Sequence, residues 1–222
     1  MPSLDLTIIF DCDGVLIDSE KIYNSVEQKY LSQIGLNYQN AEFQTRFVGL
    51  TDVDYYNELK RDYQLLGKGE FPSEFAALVQ AECWERFETE LVEINGINAL
   101  LNQFQGTTAV ASSSTVEALH KKLRITKLHA RFHPHIYSGE QVERGKPSPD
   151  LFLFAASQLG QKPENCIVLE DSVNGVRAGL AAGMTVWGFT GGGHADADLP
   201  NRLKQAGAHE VFSNYPDICS RI

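Results

Sequence analysis

From Thr107 onward the sequence alternates short β-branched runs with segments of helical spacing, and this alternation restricts the fold more than any other feature. The runs Thr107–Ser112, His135–Ser138, Cys166–Glu170, Thr185–Phe189 and His209–Phe212 read as strands, and helices are predicted to start near Thr115, Pro149, Val173 and Ala197. Such alternation builds a parallel sheet covered on both faces, because each crossover must return along one face of the sheet. One further strand precedes the series: Leu6, Ile8, Ile9 and Phe10 form an apolar run too short and too β-branched for a core helix. The expected fold class is α/β, a doubly wound, Rossmann-like parallel sheet.

Roughly ninety residues separate the first strand from Thr107, whereas a crossover needs only about a dozen. Within that gap, apolar residues recur at helical spacing over Glu20–Gly35, Thr51–Leu66 and Pro72–Leu91, with breaks at Gly35, Gly67–Gly69 and Asn95–Gly96. We therefore expect an all-helical cap subdomain inserted over residues 17–93, covering the cleft as a lid. Residues 1–16 and 94–222 would form the α/β catalytic core. Six of the eight tyrosines (Tyr23, Tyr30, Tyr38, Tyr55, Tyr56, Tyr63) fall in the insert, where a small helical bundle needs aromatic bulk for its core.

With 43% hydrophobic and 22% charged residues, the 222-residue chain has the composition of an ordinary soluble globular protein. Its net charge of −10, without any run of Lys or Arg, argues against a nucleic-acid partner. No apolar run is long enough to span a bilayer, and Met-Pro-Ser-Leu-Asp at the start lacks the basic flank and apolar core of a leader. No membrane association and a cytoplasmic location are expected. The four cysteines are scattered without a C-x-x-C pair; Cys12 and Cys166, in apolar surroundings, read as small buried hydrophobes.

The chemistry should sit at the strand ends. Asp11 and Asp13 emerge from the first strand in F-D-C-D-G-V-L-I-D-S-E, at the carboxyl edge where open α/β sheets bind ligands. A turn at Gly14 can bring both carboxylates to one cleft. Two such charges repel by about 4 kcal/mol at 4 Å and an effective dielectric near 20, so they need a metal, a shared proton or a cation. An isolated D-x-D is as well explained by solvated strand-end aspartates; the remaining strand ends decide. V-A-S-S-S offers the Ser112 hydroxyl and the amides of a helix start, with Ser114 and Glu117 read as a capping box. In G-K-P-S-P-D, Pro147 keeps Lys146 extended, Ser148 is the expected N-cap and Pro149 the first helical residue. V-L-E-D-S-V-N-G places Glu170 and Asp171 after another strand. Several carboxylates and a lysine around one cleft suit Mg²⁺, which prefers oxygen ligands, retained waters and substrate phosphate. His129, His133 and His135 lack a nearby acid or Cys and read as loop and surface. Arg46, Lys60 and Arg61 read as a solvated helix face.

These four motifs, in this order and over essentially the whole chain, resemble the haloacid dehalogenase superfamily. Within it the chain is most similar to the helical-cap members, the sugar-phosphate phosphatases and β-phosphoglucomutase-like proteins. The resemblance implies a phosphoric monoester hydrolase: a Mg²⁺-dependent phosphatase acting on a small phosphorylated metabolite, a sugar or sugar-acid phosphate, through an aspartyl-phosphate. It further implies Asp11 as nucleophile, Asp13 as general acid/base, and Ser112 and Lys146 as holders of the transferring phosphoryl group, with Ser113 beside them in substrate binding. Asp11, the main-chain carbonyl at Asp13 and Asp171 would hold Mg²⁺, with Glu170 either ligating or just behind. Asp13 must carry a proton in the first step, and the adjacent carboxylates are expected to raise its pKa. Dehalogenases and phosphonate-cleaving relatives lack an aspartate at the position of Asp13. A sugar phosphomutase is the alternative, although resembling mutases carry histidine where Tyr23 stands and arginine where Asp52 stands in V-G-L-T-D. A receiver-like phosphoacceptor module would need its aspartate on a later strand and has no insert of this size.

Overall fold

A computed structural model describes residues 6–47 and 52–222. Six strands pair in parallel: β1 (Thr7–Phe10), β2 (Thr107–Ser112), β3 (Ile136–Ser138), β4 (Cys166–Glu170), β5 (Thr185–Phe189) and β6 (Glu210–Phe212), in the order β3-β2-β1-β4-β5-β6. Three of these ranges match the sequence expectation, and the other three begin one residue later. The central strand β1 pairs Phe10 with Val110 of β2 on one side and with Leu169 of β4 on the other. The chain winds outward from β1 through β2 to β3, then returns to β4 and winds the other way. This reversal opens a crevice beyond the carboxyl ends of β1 and β4, where doubly wound sheets bind ligands.

The chain divides into two compact units, one holding the described residues up to 21 together with 90–222, the other holding 22–89. The helices associated with the insert are α1 (Ser19–Ile34), α2 (Asn40–Phe47), α3 (Asp52–Leu65) and α4 (Phe75–Glu90). Inside the 22–89 unit, Phe43, Phe47, Tyr63, Phe75 and Phe87 are buried. The other tyrosines pack on this core. Tyr38 and Tyr55 meet Phe43 and Phe47, Tyr30 meets Phe75, and Tyr23 lies edge-on to Phe87 at 5.1 Å. Arg46 pairs with Glu42, Glu58 and Asp62, and Arg61 pairs with Glu58, so both serve the helix surface; Lys60 is exposed. Most of the V-G-L-T-D loop, with the Asp52 side chain, lies outside the described residues. The linking segments pair with each other: Ile17 bridges Glu93, flanked by Asp18 N to Val92 O (3.1 Å) and Ile94 N to Leu16 O (2.9 Å).

In the α/β unit the remaining helices are α5 (Ile97–Gln103), α6 (Val116–Ile125), α7 (His129–Phe132), α8 (Asp150–Gln158), α9 (Val173–Ala181), α10 (Leu199–Gln205) and α11 (Tyr215–Arg221). Alternate strand residues point to opposite faces. Ile9, Ala109, Ala111, Val168 and Val186 form one core with Leu151, Phe152 and Ala155 of α8, Val176 of α9 and Leu203 of α10. On the other face Phe10 lies edge-on to Phe132 of α7 (5.7 Å), and Phe189 packs on Tyr215 of α11 (4.8 Å). Each buried side chain of this size contributes roughly 1.5–3 kcal/mol, so both faces of the central strands are anchored.

Candidate active site

Asp11 is the first residue past β1, and its N–H donates to Leu169 O (2.9 Å), which extends the β1–β4 ladder to the strand end. Its carboxylate is buried at the crevice and accepts a hydrogen bond from Lys146, with Nζ 2.6 Å from Oδ1. The same Nζ donates to Glu170 Oε1 (2.6 Å) and Ala111 O (3.1 Å), which ties together the carboxyl ends of β1, β2 and β4. Lys146 arrives from the loop ahead of α8. Pro149 occupies the cap of α8 in helical conformation with no side-chain cap bond, so Ser148 is not the expected N-cap. Arg144 instead forks onto Asp150 in the first turn (3.0 and 2.9 Å).

Glu170 is held on both oxygens. Oε2 accepts from the Ser172 amide (3.0 Å) and hydroxyl (2.9 Å), while Oε1 accepts from Lys146. Ser172 also caps α9 by accepting from Gly175 N (3.0 Å). A Cβ on Gly175 would fall 1.8 Å from the Glu170 carboxyl, so only glycine lets this carboxylate sit against the helix start. Asp171, the next residue, points into the crevice, with Oδ2 3.2 Å from His194 Nε2. Gly14, at φ +74°, makes room there: its Cβ would fall 1.8 Å from Asp171 Oδ2 and 2.7 Å from His194 Cε1.

Asp13 lies in a different electrostatic setting. Lys122 of α6 donates to both of its oxygens (2.5 and 2.6 Å), Ser114 Oγ donates to Oδ2 (2.9 Å), and Ser19 Oγ donates to Oδ1. Burial alone would raise the Asp13 pKa, but Lys122 and the two hydroxyls hold it below the ordinary carboxylate value. The expectation that neighbouring carboxylates raise it is therefore reversed: the cation and hydroxyls in direct contact outweigh them. Ser114 is likewise not the helix cap. Thr115 is the N-cap of α6, accepting from Ala118 N (3.2 Å), and Glu140 accepts from Val116 N (2.8 Å). Those helix amides are already bonded within the protein, whereas the Ser112 hydroxyl lies buried at the end of β2. Ser112 Oγ accepts from Ser114 N (3.1 Å), and Ser113 beside it is exposed.

Four buried or nearly buried carboxylates thus face two lysines and one histidine. Burial pushes Asp11 well above the carboxylate range; Lys146 opposes this, while Glu170, Asp171 and Asp13 add to it. Burial also raises Asp171 against the pull of His194. His194 itself is raised, because Asp171, Glu20 and Asp18 outweigh its own burial. Among the described residues no three acidic, histidine or cysteine side chains form a closed metal cage. The arrangement suits a hard dication of a different kind, since Mg²⁺ uses one or two carboxylates and fills its octahedron with water and phosphate. Asp11 and Asp171 fit that pattern.

The residues singled out in the sequence therefore gather at one sheet edge: Asp11, Ser112, Lys146, Glu170 and Asp171, with Asp13 turned toward α6. Residues 8–189 match the family model of haloacid dehalogenase-like hydrolases. The chain belongs to the haloacid dehalogenase-like hydrolase family. It is 31% identical to the 6-phosphogluconate phosphatase of Escherichia coli over 84% of this chain and 83% of that protein. It is 33% identical to the bifunctional riboflavin kinase/FMN phosphatase of Arabidopsis thaliana over 84% of this chain, and spans 48% of that longer protein. A solved haloacid dehalogenase-like protein from Agrobacterium tumefaciens superposes with a TM-score of 0.89 at 34% identity, covering 97% of this chain and 96% of that one. As a member of this family with phosphatase relatives, the chain is a phosphoric monoester hydrolase.

Three parts of the site were not found from sequence. Lys122 sits on the apolar stripe of α6, between Leu119 and Leu123, and a lysine at a core-facing helical position was the available signal. His194 follows three glycines after β5, again at the carboxyl edge of the sheet; Gly193 N bonds Asp18 Oδ1 (2.9 Å) and holds that loop to the first motif. Ser19 and Glu20 were inside the quoted motif but carried no assigned role. Of the other histidines, His129 bonds His120 (2.8 Å) and His135 bonds the Tyr137 hydroxyl (3.1 Å), neither at this edge.

Proposed function

We propose that this protein is a Mg²⁺-dependent phosphatase of small phosphorylated sugars or sugar acids that works through a phosphorylated Asp11. The observation that carries the reading is the Lys146 ammonium, which bridges Asp11 and Glu170 beside Asp171 at the sheet's switch point. Asp11, Asp171 and the carbonyl of Asp13 would hold the metal, and Glu170 would stand behind them, since Lys146 and Ser172 take both of its oxygens. When bound, Mg²⁺ supplies the positive charge that keeps Asp11 ionised and offsets its repulsion from a phosphate dianion.

An Asp11 oxygen attacks phosphorus in line, forming a P–O bond to the carboxylate as the ester P–O bond breaks. Lys146 and the Ser112 hydroxyl stabilise charge on the equatorial oxygens. Asp13 gives a proton to the departing alkoxide. Water then attacks phosphorus, Asp13 takes its proton, and the bond to Asp11 breaks to release phosphate. The four bonds now made to Asp13 leave it ionised, so it must exchange one of those donors for the substrate before it can carry a proton. Sugar and sugar-acid esters are favoured by the 6-phosphogluconate phosphatase relative. The four cysteines are all free, which supports a reducing compartment such as the cytoplasm.

The test is a phosphate-release screen over sugar phosphates, phosphoglycolate, 6-phosphogluconate, FMN and nucleotides, run with Mg²⁺ and with EDTA. Release should require Mg²⁺ and should vanish in Asp11→Asn protein that keeps its fold. Normal turnover by Asp11→Asn would overturn the nucleophile. Conversion of β-glucose 1-phosphate chiefly to glucose 6-phosphate would replace hydrolysis with the mutase reaction.

A further inference from the structure

We propose that Lys122 is the positioning residue of the proton-transferring carboxylate, holding Asp13 in register with Ser114 at the leaving-group side of the site. The proposal rests on the reading of Asp13 as acid and base given above. Lys122 lies in the second turn of α6 and is 2% exposed, buried like Leu119 and Leu123 of the same helix. Its ammonium contacts both Asp13 oxygens and also Ser114 Oγ (2.9 Å), which in turn donates to Asp13 Oδ2. Lysine, serine and aspartate thus close a triangle: Ser114 and Lys122 lie eight residues apart around the start of α6, and Asp13 lies more than a hundred positions earlier.

An ion pair this buried is a poor device for stability alone. A well-packed apolar side chain on the same helix stripe would serve as well or better, because both charges must leave water. What the pair supplies is location. A carboxylate gripped on both oxygens by one ammonium cannot rotate freely about its Cβ–Cγ bond, and a misplaced proton donor loses much of its rate advantage. Lys146 cannot do this task, since its bonds go to Asp11, Glu170 and Ala111. The two lysines divide the work: one serves the phosphoryl group, the other the departing oxygen.

A positioning role differs from a structural one in its dependence on the leaving group. An alkoxide must be protonated as it departs, whereas p-nitrophenolate leaves without a proton. Single-turnover release is therefore measured for a sugar phosphate that the unaltered protein hydrolyses and for p-nitrophenyl phosphate. Lys122→Met should slow the sugar phosphate at least tenfold more than the nitrophenyl ester. An equal loss on both, or no loss on either, would overturn the proposal. The second arm works in Asp13→Asn protein, where no carboxylate remains to be positioned and the Lys122 ammonium has lost its anionic partner, so that adding Lys122→Met removes an unpaired charge instead of creating one. Adding Lys122→Met there should change nitrophenolate release less than threefold, and a further tenfold loss would mark Lys122 as structural. This arm decides the matter if Lys122→Met alone fails to fold. Absence of turnover by the unaltered protein on both esters would sink the phosphatase reading and this proposal together, whereas a normal unaltered enzyme with flat leaving-group ratios sinks only the latter.

Discussion

Glu20, in the first turn of α1, lies near Asp13, Asp171 and His194, and its burial beside the first two carboxylates pushes its pKa up to about 7 from an ordinary 4.5. This acid can be followed without substrate. The sign is fixed by the direction of the shift. A carboxyl whose folded-state pKa is raised contributes stability that is fully present below about 4.5 and is lost as pH rises through about 7. The gap corresponds to an upper bound of about 3 kcal/mol, at about 1.4 kcal/mol per unit. In EDTA, the melting temperature of the unaltered protein should fall between pH 5 and 7.5, and Glu20→Gln should flatten that fall. His194, raised by Asp171, titrates in the same sense and keeps a residual slope. Identical slopes for Glu20→Gln and the unaltered protein would show that the Glu20 carboxyl is not strained by its neighbours. At this scale, the sequence motifs located Asp11, Lys146, Glu170 and Asp171 because strand ends in a parallel sheet share an edge. They were silent on how Asp13 is held, because its partner Lys122 is more than a hundred positions away and belongs to no motif.

The elements show where local signals compete. Ser114 and Glu117 have the spacing of a capping box, yet Thr115 caps α6 while Ser114 turns to Asp13 and Lys122; its hydroxyl donates to the carboxylate and accepts from the ammonium, and these charged partners outweigh a helix amide. Pro149 displaces Ser148 as cap of α8 for a simpler reason: a residue without an N–H leaves no donor unsatisfied at a helix start. The strands were legible nearly to the residue because fully buried parallel strands carry continuous apolar runs. The short helices α2, α5, α7 and α11, of four to eight residues, were not, since so few turns give little periodicity. The packing of α9 yields a prediction. An alanine in a helix normally gains up to about 1 kcal/mol over glycine. In Gly175→Ala, however, the new methyl would lie 1.8 Å from the Glu170 carboxyl, which cannot retreat without breaking its bonds to Lys146 and Ser172. Overpacking of this kind costs about 1–3 kcal/mol, so the net change should be destabilising. Thermal unfolding should report the loss, and kcat should fall at least tenfold because Lys146 loses its second anchor. A more stable, fully active Gly175→Ala protein would show that Glu170 has slack.

For the whole molecule, the division of labour follows from the order of segments along the chain. Every residue assigned to the chemistry lies in the α/β unit, and none lies within 22–89. The helical unit carries its own aromatic core, closed by the packing of its tyrosines on Phe43, Phe47, Phe75 and Phe87. The two linkers are bonded to each other through Ile17 and Glu93 outside that unit, so its removal leaves their bridge in place. The sequence made the insert visible through the excess length between β1 and β2, but composition gives no hint of substrate, because selectivity rests on a few loop side chains. We expect the helical unit to supply that selectivity. Replacing residues 22–89 by a short Gly/Ser linker should leave a folded α/β unit that still releases nitrophenolate from p-nitrophenyl phosphate in Mg²⁺ and still loses that activity with Asp11→Asn. Among sugar phosphates, the spread of kcat/KM shown by the intact protein should collapse to within about threefold, since the contacts that separate one small ester from another are worth only about 1–3 kcal/mol each and would be gone. If the shortened protein keeps the full ranking of substrates, selectivity resides in the α/β unit and the helices serve another purpose.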